Sequence, residues 1–235
     1  MTLPVAILAG GCATRLRPVT ETIPKALVDV AGKPFVIRQL EYLRRQGLGR
    51  VVLCIGHLGE QVQAVVGDGS PLGMDVRYSW DGPDLLGTGG ALKRAISLLG
   101  GEFLVLYGDS YLPTDFRRVE QTFAATDKPA LMTVLRNDNQ WDKSNVLFRD
   151  DCIVEYNKRA PSHDMTHIDY GLGALSASAL NDAPADEPFD LADIYHELSV
   201  RGLLAGHEVF ERFYEIGTHE GLKAATAYFL KEDRA

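Results

Sequence analysis

The sequence predicts an α/β fold: a mixed, mostly parallel sheet flanked by helices, with a small antiparallel extension. Three observations carry it. Up to about residue 116, apolar runs of strand length alternate with amphipathic segments of helical period, the rhythm of strand–helix units in a parallel sheet covered on both faces. Glycine turns follow two of these runs directly, at Gly10-Gly11 and Gly108-Asp109. Beyond 116 the rhythm changes to short strand-like runs with too little chain between most of them for crossover helices. The outline is Rossmann-like.

The elements follow in order. Residues 5–9 form a buried first strand. After a long Gly/Thr/Pro-containing loop, Val36, Leu40 and Leu43 recur at helical spacing with Arg38, Glu41 and Arg44 between them, and Gly47 ends that helix. A strand over 51–55, a helix over 59–66, a strand around 74–78, a helix over 89–99 and the apolar strand 103–107 complete the first part. Short strands are expected at 130–135, 145–148, 153–157 and 168–175. Leu191, Ile194, Tyr195 and Leu198 share one face of a helix over 190–200, capped by Asp190. A closing helix is expected over 220–230. The absence of repeats and low-complexity tracts leads us to expect one domain over 1–235, with a change of rhythm dividing 1–116 from 117–235.

Composition narrows the classes of partner. The chain has 235 residues and a net charge of -8, with 46% hydrophobic residues, enough to build a core without a disulfide or structural metal. An acidic chain with no Lys/Arg block lacks the basic face that a nucleic acid or an anionic membrane requires. Any anionic substrate must be held by a few local cations. Cys12, Cys54 and Cys152 are widely spaced and form no CxxC, which reads as reduced thiols in a cytoplasmic protein without a zinc site. The apolar start is too short, and lacks the basic flank, for a signal peptide.

The chemistry concentrates in loops. Leu8-Ala9-Gly10-Gly11-Cys12-Ala13-Thr14-Arg15 ends the first strand, and a glycine pair there lets backbone N–H groups approach an anion while Arg15 and Arg17 supply charge. Phosphate is the natural candidate, with an ordinary tight strand-to-loop turn flanked by solvated arginines as the alternative. The spacing is neither the GxGxxG of a dinucleotide fold nor the GxxxxGK[ST] of a P-loop. Cys12 has no base partner that would make it a nucleophile. His163 and His167 are four apart, but the preceding loop and Pro161 give no helix to align them, so they read as loop or rim residues rather than metal ligands.

The run from Leu8 through Pro24-Lys25 to Gly32-Lys33-Pro34 closely resembles the signature of sugar-1-phosphate nucleotidyltransferases, LAGGxGTRLxPxTxxxPKxxxxVxGKP, with Ala13 replacing the usual second glycine. That family has a GT-A-like fold. Residues 85–93, with Gly87, Thr88, Gly89 and Gly90, resemble its second nucleotide loop, and Gly108-Asp109 its metal-binding GD at the end of a central strand. Glu155 to Lys158 resembles its sugar-phosphate segment, and Asp169-Tyr170-Gly171 its sugar turn. Glu215-Ile216-Gly217-Thr218 resembles its late DxGT motif, with Glu for Asp.

The resemblance implies transfer of a nucleoside monophosphate from an NTP to a sugar 1-phosphate, with pyrophosphate released. Leu8, Ala9, Gly10, Gly11, Thr14, Arg15, Lys25 and Gly87 to Gly90 would bind the nucleotide. Asp109, Glu155, Lys158, Asp169, Tyr170 and Gly171 would bind the sugar phosphate. Asp109 and Glu215 would hold Mg2+, and Arg15, Lys25 and Asp109 would be the catalytic groups.

The length and the 32–35, 41–47 and 85–93 segments resemble heptose 1-phosphate guanylyltransferases, which favours GTP with a heptose or mannose 1-phosphate. Residues 67–70 and 77–79 resemble muramate 1-phosphate uridylyltransferases and keep open a UTP-dependent alternative with a hexose or muramate 1-phosphate. A catalytically silent nucleotide-sugar sensor is the rival from another class, and a homodimer the expected assembly.

Overall fold

The structure, a computed structural model, describes residues 2–11, 14–82, 84–184 and 187–234. The readings placed on Cys12 and Ala13 lie outside the described residues. A nine-stranded sheet forms the centre. Its first half is parallel: β1 (Val5–Leu8) lies between β4 (Arg50–Ile55) and β6 (Glu102–Tyr107), and β5 (Asp75–Trp80) pairs with β4 outside it. Two small ladders stand apart from the main sheet. One pairs β2 (Asp29–Val30) with β3 (Lys33–Pro34), the other β7 (Ser110–Tyr111) with β13 (Tyr214–Glu215).

The second half continues the same sheet. On β6 lies β11 (His167–Ser176), antiparallel, and then β8 (Ala130–Arg136), antiparallel to β11. Next come β12 (Leu204–Val209), parallel to β8, and the antiparallel hairpin of β10 (Cys152–Tyr156) and β9 (Val146–Arg149). The expected extension is therefore antiparallel except for one parallel pair, β8–β12. That pair exists because a helix, α5 (Leu191–Val200), separates β11 from β12 and returns the chain in the direction of β8.

Both faces of the sheet are apolar. Along β1, Val5 and Ile7 point into one core with helices α1 (Phe35–Arg45), α2 (Gly59–Val66) and α4 (Phe116–Ala124). Ala6 points into the other, with α3 (Gly87–Leu99) and α5. A third cluster seats α6 (His219–Glu232) through Ala225 and Phe229 against Phe35, Tyr111 and Ile216. Arg38, 4% exposed, clamps that helix by donating from both terminal nitrogens to Asp233, each at 2.8 Å. Among the described residues no helix is long and apolar enough to cross a membrane.

The start of α3 depends on glycine. Gly87 has φ +70°, and a Cβ on it would lie 2.5 Å from the Phe189 carbonyl oxygen. Gly89 sits under the Phe189 ring, with its amide donating to the Phe189 carbonyl at 3.0 Å. A Cβ on Gly89 would stand 2.2 Å from a ring carbon. Gly89→Ala is accordingly expected to destabilise the protein by roughly 1–3 kcal/mol through overpacking, read as a lowered melting temperature.

Candidate active site

The carboxyl ends of β1, β4, β5 and β6 open on one side of the sheet, where a cleft of about 240 Å³ forms. Leu8, Ala9, Gly10 and Gly11 make one wall, continuing β1 into its loop. Gly87 and Thr88, at the first turn of α3, make the facing wall. Gly10 permits the close approach of its neighbours, since a Cβ there would lie 2.9 Å from an Asp81 carboxylate oxygen and 3.3 Å from the Gly56 nitrogen. Lys25 and Asp109 line the same cleft.

The charged centre is assembled by the β7–β13 ladder. Ser110 pairs with Glu215, and the Ile216 amide donates to the Asp109 carbonyl at 2.9 Å, so Asp109 and Glu215 come from opposite strands to one place. Around the Gly217 Cα the Arg15 Nη2, Asp109 Oδ2 and Glu215 Oε2 atoms converge: a Cβ built there would lie 3.5, 3.6 and 3.6 Å from them. Lys25 Nζ donates to Asp109 Oδ2 at 2.8 Å. Burial, and then the Asp109 charge, raise the Glu215 pKa above the ordinary value, while Arg15 and Lys25 pull it down. Two carboxylates and two cations, distant in sequence, thus share one neighbourhood.

A second cleft of about 480 Å³ adjoins the first, and Tyr107 and Asp109 line both. Lys158, Asp169, Tyr170, Gly171 and Glu215 border it. A register shift in β11 sets Asp169 there. Between Asp169 and Gly173 the strand carries Tyr170, Gly171 and Leu172 opposite Thr133 alone, and the Thr133 hydroxyl donates to the Leu172 carbonyl at 2.6 Å. Asp169 accepts from the Gly171 amide at 2.9 Å.

One polar chain ties the two clefts together. Thr88 Oγ1 donates to Asp190 Oδ1 at 2.7 Å, and Lys158 Nζ lies 3.6 Å from Asp190 Oδ2. Asp190 also caps α5, accepting from the Ala192 amide. Burial alone would raise its pKa, but that amide, the Thr88 hydroxyl and Lys158 together hold it below the ordinary value.

Burial raises the Asp169 pKa to about 6, against the lowering pull of the Gly171 amide and Lys158. An unfolded Asp titrates near 3.9, so the fold binds the extra proton between about pH 4 and 6 and loses stability as pH rises through that window. Asp169→Asn escapes this loss. At pH 7.5 it is expected to melt higher than the parent by roughly 2 kcal/mol of stability, less than the full shift because the cleft is open to solvent, and the gap should close below pH 4. Melting curves at pH 3.8 and 7.5 test this; equal differences at both would show that the Asp169 ionisation is not responsible.

Some expected residues stand elsewhere. Gly89 and Gly90 line neither cleft: Gly89 packs under Phe189, and a Cβ on Gly90 would press on Leu86. Glu155 lines neither cleft and accepts from the Asn157 side-chain amide, while its neighbour Tyr156 borders the second cleft. Thr14 is exposed in a single 3-10 turn, Thr14–Leu16, beside Arg15. Sequence reasoning missed Asp81, Tyr107 and Trp141, all cleft-lining, and saw in Asp190 only a cap. The only local signal at Asp81 is a charged residue directly after a short strand of mixed polarity.

Two clefts joined at an Asp/Lys centre thus lie at the carboxyl ends of parallel strands, where ligands of open α/β sheets collect. The chain belongs to the nucleotidyl transferase family, whose sequence model matches residues 5–144, and so to the enzyme class that the motifs anticipate. Over 117 residues, about half of each chain, it is 42% identical to the N-acetylmuramate alpha-1-phosphate uridylyltransferase of Neisseria meningitidis. It is 27% identical to the D-glycero-alpha-D-manno-heptose 1-phosphate guanylyltransferase of Campylobacter jejuni, over 91% of this chain and 94% of that one. The crystal structure of HddC from Yersinia pseudotuberculosis complexed with GMP-PN superposes with a TM-score of 0.82 at 27% identity, covering 97% of this chain and all of that one.

Proposed function

We propose that the protein transfers a nucleoside monophosphate from an NTP to a sugar 1-phosphate, with GTP and a heptose- or mannose-type acceptor as the favoured pair. The observation that carries this reading is the meeting of the two clefts at Asp109. A triphosphate along the Gly10/Gly87 cleft and a sugar phosphate in the Lys158/Asp169 cleft would bring their phosphates together beside Lys25 and Arg15. The near full-length likeness to a guanylyltransferase supports the GTP–heptose pair. The 42% identity to a muramate uridylyltransferase over half the chain supports UTP with an amino-sugar acid as the second reading.

The reaction needs little covalent help. An oxygen of the sugar phosphate, already anionic at neutral pH, bonds to the α-phosphorus, and the bond from that phosphorus to the α–β bridging oxygen breaks, so the electron pair leaves on pyrophosphate. No side chain need take a proton. Positioning and charge neutralisation supply the rate. Arg15 would hold the departing β,γ-phosphates, Lys25 would offset charge at the reacting group, and Lys158, kept in place by Asp190, would orient the incoming phosphate. Backbone N–H groups at Gly10 and Gly11 would face the nucleotide.

Asp109 and Glu215 fit Mg2+. They are oxygen donors, close enough for one charge to raise the other's pKa. Bound there, the ion would neutralise phosphate charge during transfer. The reading is tested by Mg2+-dependent pyrophosphate release with GTP, UTP, CTP, ATP and dTTP, crossed with heptose, mannose, glucose, N-acetylglucosamine and N-acetylmuramate 1-phosphates. Turnover with one pair names the substrates. Nucleotide binding with silence across all pairs would overturn the reading.

A further inference from the structure

We infer that Trp141 is the platform on which the C–H face of the acceptor's sugar ring packs, and so a residue that sets affinity for the acceptor; this rests on the transferase reading above. Trp141 borders the second cleft and remains 40% exposed, although an indole is among the most apolar surfaces a protein can bury. The loop that carries it is held by its own polar groups. Asn137 accepts from the Trp141 amide at 3.2 Å and donates to the Asp142 carbonyl at 2.7 Å. The Ser144 hydroxyl accepts from the Asn139 amide at 3.1 Å, and the Asn139 side chain accepts from the Ser144 amide at 2.8 Å. Asp138 and Asn139 adopt left-handed φ values of 44° and 60° within this turn.

The ring is also braced from the β12–β13 segment. Phe213 meets it edge-on at 6.1 Å, and the Arg212 guanidinium lies over it at 5.7 Å and over Tyr214 at 5.2 Å. Among the described residues no carboxylate pairs with Arg212 within 4 Å, so its lodging is aromatic. Tyr214 directly precedes Glu215, which places this aromatic wall on the same short strand as the charged centre. Asp169 and Asn145 border the same cleft and present oxygen acceptors for hydroxyls. A pyranose ring has a polyhydroxylated edge and a C–H face; an exposed, immobilised indole and a set of acceptors in one cleft match those two surfaces.

The test separates this inference from the transferase reading. With the acceptor that gives the fastest turnover, Trp141→Ala is expected to raise the sugar 1-phosphate KM by about 10- to 50-fold and leave the NTP KM within twofold. Trp141→Phe should retain most of the affinity. In a Trp80→Phe background, where Trp141 is the remaining indole, that sugar 1-phosphate should change the emission saturably, and inorganic phosphate should not. An unchanged sugar KM in Trp141→Ala, equal loss of both KM values, or emission indifferent to a sugar that is turned over would each overturn the inference while leaving the transferase reading standing. Absence of pyrophosphate release by the parent protein with every pair would remove both.

Discussion

Asp109→Asn is expected to lower pyrophosphate release at least a thousandfold while the protein still folds. The two expectations have separate physical origins. Asp109 lines both clefts, lies 2.8 Å from Lys25 and meets Glu215 and Arg15 around Gly217, so one carboxylate touches every part of the proposed transfer. An amide keeps the shape and one oxygen but removes the charge. Holding Mg2+ would then fall to Glu215 alone, and Lys25 would lose the partner that positions it.

The fold is insulated from this change. The Asp109 carbonyl, not its side chain, accepts from the Ile216 amide, and the β7–β13 pairing runs through backbone. The Lys25–Asp109 pair is partly exposed, at 20% and 26%, and pairs of that kind contribute about 1 kcal/mol or less. A melting temperature within about 3 °C of the parent, together with lost turnover, is the expected pair of results. Near-normal turnover would remove Asp109 from the centre, and a collapsed melting temperature would make the loss uninformative about chemistry.

The sequence reads well wherever one period dominates. The helix expected over 59–66 is observed as Gly59–Val66, and the one over 190–200 begins beneath Asp190 as its hydrogen bond requires. The helix Phe116–Ala124 is not among the expected elements, although Phe116, Val119 and Phe123 recur at helical spacing and Asp115 accepts from the Arg117 and Arg118 amides. That signal was local and available. The strand Leu204–Val209 was not. Its Leu-Ala-Gly-His-Glu-Val sequence has little alternation, and it is a strand because β8 pairs with it and Gly206 lets Phe148 pack close, a tertiary cause.

The site divides along the same line. Gly10, Lys25, Gly87, Asp109, Lys158, Asp169 and Glu215 stand in motifs, and the structure brings them to two joined clefts. Gly89 and Gly90 stand in the same motif, yet their lack of side chains serves the packing of Phe189 and Leu86, which spacing cannot distinguish from contact with a nucleotide. Trp141, Tyr107 and Asp81 carry no motif. Their place depends on which loop closes over which strand end.

Lys25→Met is expected to abolish turnover and, in the absence of nucleotide, to tighten Mn2+ binding about tenfold. The first effect follows from losing a cation beside the phosphates; the second follows from what Lys25 does in the free protein. Its ammonium already neutralises Asp109 at 2.8 Å, while the Arg15 charge, without an ion pair, lowers the Glu215 pKa. A divalent cation must therefore compete with a lysine for a carboxylate oxygen. A triphosphate bound there as proposed would reverse the balance, because its oxygens would offer Lys25 a stronger partner and release Asp109. Removal of Lys25 alone uncovers Asp109 without any nucleotide, and the thioether of methionine offers a hard cation no competing charge. Electron paramagnetic resonance of free Mn2+ reads the binding directly, with no dependence on catalysis. Unchanged or weaker Mn2+ binding in Lys25→Met would show that the ion pair does not guard the site. Tightening in that variant, and loss of binding when Asp109→Asn is added to it, would show that one carboxylate is held by a lysine until the phosphates arrive.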